Sequence, residues 1–186
     1  MAIDPGNLSR YFEPTASISD TSSARGTTMT HAAIEIAIDP ADETIRLGPL
    51  GIRFLVSGEN SRGSASVFEC TVPAAEKLRA PAHSHDAYEE SIYGLEGVLT
   101  WTVNGRPIDV APGQAVCIPR GAVHRFDNFG QADAKVLIIA SPALIGPEYF
   151  REVAAAMAAA AGGPPDQARM MDIMRRYGLT PAAPNA

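Results

Sequence analysis

From about residue 30 to residue 141 the chain alternates short apolar runs with turn residues and shows no helical period. "GIRFLVSG" (51–58) and "SASVFECTV" (64–72) are rich in β-branched and aromatic residues, which suits a pleated, half-buried surface. "HAAIEIAI" (31–38) alternates weakly, and "SIYGL", "VLTWTV" and "AKVLIIA" read as further strands. Asn104-Gly105 in "TVNGRPIDV" is a strong two-residue hairpin signal. This spacing predicts about eight to ten strands in an antiparallel sandwich, jelly roll or barrel. The flanks differ. Residues 1–29 are polar and turn-rich with neither period, and predict a flexible N-terminal arm. Residues 146–186 predict a pair of helices. The first starts at Pro147 and stops at Gly162-Gly163-Pro164-Pro165; the second starts at Asp166, an N-cap residue, and runs to Tyr177 before Gly178. A barrel over 30–145 with a C-terminal helical extension is the expected organisation.

Composition narrows the picture. The chain has 186 residues and 46% apolar content, enough for one aliphatic core. A net charge of -6 with no basic block argues against nucleic acid or an anionic membrane as partner. No apolar run reaches the roughly 18 to 20 residues of a membrane helix, and the first residues lack the pattern of a secretion signal. A cytoplasmic protein is expected, with Cys70 and Cys117 as reduced core thiols.

The candidate chemistry centres on "PAHSHDAYEE" (81–90). In an extended strand, His83 and His85 project from one face. His124 follows the Pro119-x-Gly121 turn and lies far off in sequence, as ligands on neighbouring strands do. Three imidazoles plus a carboxylate suit Fe, Mn, Ni, Co, Cu or Zn and disfavour Ca or Mg. On an ion that takes six ligands, two positions would remain for water, substrate or dioxygen.

Two blocks then carry a resemblance. The first reads His83-x-His85, four residues, Glu90, six residues, Gly97; the second reads Gly113, five residues, Pro119-x-Gly121, two residues, His124, three residues, Asn128. These resemble the two motifs of the cupin superfamily, and in particular its small single-domain, quercetin-dioxygenase-like members. The first block departs from the pattern at its opening glycine, where this chain has Lys77. The resemblance implies a jelly-roll β-barrel holding one divalent transition metal through His83, His85, Glu90 and His124. The motif's spacing to Gly97 selects Glu90, and strand parity agrees: if Glu90 and Ile92 face inward, Glu89 faces out.

Around this set, Phe126 shares the parity of His124 and is a candidate substrate-binding residue beside its role in packing. Tyr88, in the bend before Glu90, is expected at the pocket mouth or as a surface turn residue. Trp101 is expected to pack, Asn128 to hold a turn, and His31 to lie on the surface. The function expected first is a dioxygenase-type oxidoreductase acting on a small phenolic or enolic molecule, with Glu90 as ligand and base. A metal-dependent isomerase or lyase is the second reading; for an anionic sugar, Lys77, Arg79 and Arg53 are the nearby basic candidates. The third is a non-catalytic small-molecule-binding barrel. A homodimer is expected, since pairing covers sheet edges.

Overall fold

The structure, a computed structural model, describes residues 43–74, 82–160 and 162–182. The expectations for the arm over 1–29, the strand in 31–38, His31, Lys77 and Arg79 lie outside the described residues. Eleven strands and two helices follow one another among the described residues. They are β1 (Thr44–Leu47), β2 (Leu50–Val56), β3 (Ser66–Val72), β4 (His83–His85), β5 (Glu89–Glu96), β6 (Leu99–Val103) and β7 (Arg106–Val110). After these come β8 (Ala115–Ile118), β9 (His124–Asp127), β10 (Ala134–Ser141), α1 (Pro147–Ala159), α2 (Gln167–Arg176) and β11 (Leu179–Pro181).

The strands form two antiparallel sheets of a jelly-roll barrel. One runs β1-β2-β3-β10-β5-β8, the other β11-β4-β9-β6-β7. In the larger sheet the two-residue period of β3 and β10 buries Ser66, Phe68, Cys70 and Val72 beside Ala134, Val136, Ile138 and Ala140. Register carries these positions across the sheet: Phe68 faces Ile138, which faces Ile92 of β5. The next inward row holds Ser66, Ala140, Glu90 and Ile118. Glu90 therefore enters the interior through plain strand parity, in a row that is otherwise small or apolar.

Turn chemistry sets the ends. Asn104 and Gly105 both adopt positive φ, 47° and 77°, the type I′ geometry whose twist matches the strands it joins. Asn104 also accepts a hydrogen bond from Val123 N–H at 3.0 Å and donates its own N–H to Val123 O at 2.7 Å. The β6–β7 hairpin thereby fixes the entry of β9. Gly97 needs to be glycine twice over: its φ is +64°, and an added Cβ would sit 2.5 Å from Asp133 O. Asn128 is buried and donates to Val72 O (2.9 Å), Pro73 O (3.2 Å) and Ala132 O (3.0 Å), tying β9 to the end of β3.

The C-terminal segment differs from a purely helical extension. Pro147 opens α1, and Asp166 caps α2 by accepting from Ala168 N–H (2.9 Å) and Arg169 N–H (3.3 Å). The chain then returns as β11 and pairs with β4. Helix α1 docks through Phe150, whose ring meets Phe54 (5.6 Å) and Phe68 (5.4 Å), on the same buried face of β3 that carries Cys70. Among the described residues, no helix is long and apolar enough to cross a membrane.

Candidate metal centre

Two strands and one turn bring the histidines together. His83 of β4 is in register with His124 of β9. Gly121, with φ +74°, ends the Pro-Arg-Gly turn and donates its N–H to His85 O at 2.8 Å, so the turn that delivers His124 is fastened to the strand that carries His85. The three rings lie with centroids 5.0 Å (83–85), 4.6 Å (83–124) and 4.7 Å (85–124) apart. One ring nitrogen from each lies within 4.8 Å of the other two.

Glu90 stands beside this group of three imidazoles. Its carboxylate oxygens are 3.9 Å from His85 Nε2 and 3.7 Å from His124 Nε2, too long for hydrogen bonds. Glu89 points the other way, about 42% exposed, and pairs with Arg120 at 2.9 Å.

The protonation chemistry favours metal ligation. His124 Nδ1 lies 2.9 Å from Ala122 O, so Nδ1–H donates and Nε2 keeps its lone pair. His85 is pushed down to about 3, chiefly by burial and further by His83 and His124, against the opposing pull of Glu90. It is neutral at physiological pH, the form that binds a metal. Burial works to raise the Glu90 carboxyl, but His124, His85 and His83 outweigh it and hold the group below the usual carboxylate range. Among the described residues, His85 Nε2 and His124 Nε2 are buried with no hydrogen-bond partner. Such orphaned polar atoms are costly, and an ion between them would satisfy both. The residues present therefore fit a divalent transition metal.

A pH dependence follows. An unfolded histidine titrates near 6.5 and folded His85 near 3, so the unfolded chain binds the extra proton in between. Stability of the metal-free protein should fall as pH drops from about 6.5 towards about 3, and the lowered Glu90 adds to the loss at the acid end. Thermal melts of chelator-treated protein should show a lower Tm at pH 5 than at pH 7; an equal or higher Tm at pH 5 would contradict the buried neutral His85.

The surroundings correct several expectations. Tyr88 is neither at a mouth nor on the surface. It is fully buried and stacks on His85, with centroids 4.2 Å apart and planes at 15°. Its hydroxyl is buried without a partner among the described residues, and burial, with Glu90 and Tyr149 adding, raises its pKa far above the ordinary phenol value. Trp101 packs between Phe126 (5.0 Å) and His124 (6.0 Å), and its indole N–H likewise lacks a partner among the described residues. Phe126 packs against the core but is only half-buried. Cys117 is exposed, because edge strand β8 turns Ile118 inward and Cys117 outward; Cys70 is buried, and burial next to Glu90 pushes its thiol up to about 12. Both thiols are free. Arg53 is not a wall residue: it pairs with Glu69 at 3.0 Å, half-exposed on the other face of β2. Tyr149 of α1, which the sequence did not single out, has its phenol raised by burial, with the charge of Glu90 adding.

Comparisons with known proteins agree with this geometry. The family described as "Cupin domain" matches residues 68–140. The tetracenomycin polyketide synthase protein TcmJ of Streptomyces glaucescens is 29% identical over 117 residues, 63% of this chain and 77% of that one. An uncharacterized protein of Methanocaldococcus jannaschii is 31% identical over 77 residues, 41% of this chain and 60% of that one. The crystal structure of a predicted oxalate decarboxylase from Thermotoga maritima superposes with a TM-score of 0.51 at 20% identity, over 57% of this chain and 99% of that one. That likeness speaks for the fold. With the two-sheet barrel and the family match over the histidine-bearing strands, residues 68–140 are a cupin domain.

Proposed function

We propose that this chain is a metal-dependent enzyme of dioxygenase type that acts on a small phenolic or enolic molecule. One observation carries the reading: three clustered imidazoles, two of them with orphaned Nε2 atoms, sit in an aromatic interior beside a single ionised carboxylate. A divalent transition metal held by His83, His85, His124 and Glu90 would supply Lewis acidity and, for a redox-active ion, a route for electrons to dioxygen.

The chain's own residues supply the rest. Glu90, held ionised, accepts the proton of a substrate hydroxyl. Tyr88, whose raised pKa keeps its hydroxyl protonated, donates a hydrogen bond to a substrate oxygen. Phe126 and Trp101 offer ring surface to a flat, apolar body. Among the described residues, Arg53, Arg120 and Arg125 each pair with an acid at partly exposed positions, so none of these three is offered to an anionic sugar in the interior. The likeness to a polyketide synthase protein points the same way, since polyketides are rich in enolisable carbonyls.

That likeness also favours a second reading, a lyase or isomerase that moves protons on an enolisable ketone without oxygen. The two separate cleanly. Protein reconstituted with Fe, Mn, Ni or Cu should consume oxygen with some member of a panel of phenolic and enolic compounds. Silence with all four ions sinks the oxygenase reading, and turnover under anaerobic conditions establishes the second. In either case Glu90→Gln should lower turnover by about 100-fold or more at saturating metal; a variant as active as the parent would refute the base role.

A further inference from the structure

The strand that carries two of the three histidines is only three residues long and meets β9 in register at one position, His83 with His124. Its longer ladder lies on the other edge. There β11 pairs along its whole length: Leu179 with His85, Thr180 with Ser84, Pro181 with His83. Ala182 N–H continues the ladder by donating to Ala82 O at 2.9 Å. We propose that β11 is a positioning element of the metal site, whose pairing with β4 sets where His83 and His85 present their imidazoles. The inference rests on the metal reading above.

Antiparallel alternation gives the detail. Pairs that exchange hydrogen bonds alternate with pairs that do not. Ala182 and Ala82 are bonded, so Pro181 faces His83 at an unbonded position, where its missing N–H costs nothing. Thr180 and Ser84 are then the bonded pair. Ser84 sits between the histidines and points to the opposite face from both. Clamping its backbone fixes the plane and register of β4, and a slip of one residue would send both imidazoles outward. Leu179, 2% exposed, anchors the other end of β11 in the core. The side chain of Thr180 only reaches Asp86 at 3.3 Å on the exposed side.

The test separates backbone from side chain. Thr180→Pro deletes the N–H that Ser84 O accepts; Thr180→Val keeps it and loses only the hydroxyl. Metal-free protein is titrated with Co²⁺ against a chromophoric chelator, and the visible absorption of the Co²⁺ form is recorded. Thr180→Pro should bind Co²⁺ about 10- to 100-fold more weakly, in the range set by changes behind metal ligands, and with an altered Co²⁺ spectrum. Thr180→Val should match the parent in both. Thr180→Pro with parental affinity and spectrum overturns the inference alone, whereas a parent that binds no Co²⁺ overturns the metal reading and the inference together. If Thr180→Pro fails to fold, the unaltered chain decides. Coupling is reciprocal, so Co²⁺ must slow amide exchange at Thr180 and Ala182, and unchanged exchange there overturns the inference.

Discussion

His124→Ala should lower Co²⁺ affinity by more than ~100-fold, beyond the loss seen for residues that only support ligands, while Glu89→Ala should leave it unchanged. His124 is the hinge of the candidate site. It is 1% exposed, its Nδ1–H is spent on Ala122 O, and its Nε2 is free to ligate and lies 3.7 Å from Glu90. Without it, His83 and His85 remain on one short strand and nothing on β9 opposes them. Glu90 also loses the strongest of the influences that keep it ionised, so burial pulls its carboxyl back up and weakens it as a ligand. Glu89, by contrast, shares a half-exposed ion pair with Arg120, of the kind worth about 0 to 1 kcal/mol. Isothermal titration or chelator competition on both variants reads the contrast. Parental affinity in His124→Ala, or an equal loss in Glu89→Ala, would remove the assignment of the centre.

The reach of the sequence follows the range of the interactions. Local signals were legible: the Asn104-Gly105 hairpin, the Pro147 and Asp166 helix starts, and the parity that sends Glu90 inward and Glu89 outward. The three histidines were legible because strand period and turn position are themselves local, and the motif spacing links them across about 40 residues. Tyr88 departs from the expectation because the bend ends before it: it directly precedes β5, shares the inward parity of Glu90 and Ile92, and stacks on His85. Cys117 and Arg53 failed for a related reason. Both sit in strands with apolar neighbours, and which face is inner depends on partners distant in sequence. The three residues of β11 carry too little pattern to announce a strand, and they pair with β4 some 94 residues earlier. The distances between Glu90 and the imidazoles, too, belong to tertiary packing and to nothing in the motif.

Phe150→Ala should destabilise the protein by about 3 to 5 kcal/mol and lower Tm by on the order of 10 °C. The ring is 9% exposed and tilts against Phe54 and Phe68, which stack on each other at 4.9 Å. Truncation removes aromatic area and leaves a void that rigid neighbouring strands fill poorly. Against a total stability of roughly 5 to 15 kcal/mol, that is a large share. The loss should also travel. Helix α1 holds α2 through Glu152, which accepts from Arg176 at 2.6 Å and from Tyr177 at 2.8 Å, and through Tyr149 on Tyr177 at 5.4 Å. Helix α2 in turn leads directly into β11 and so to β4. Loosening α1 therefore raises the cost of holding His83 and His85 in place, and Co²⁺ affinity should fall along with Tm. Phe150→Leu, which refills most of the void, should recover both together. An unchanged Tm in Phe150→Ala would mean that α1 is not docked on the barrel through this ring. A lowered Tm with parental Co²⁺ affinity would mean that β11 holds β4 without help from the helices.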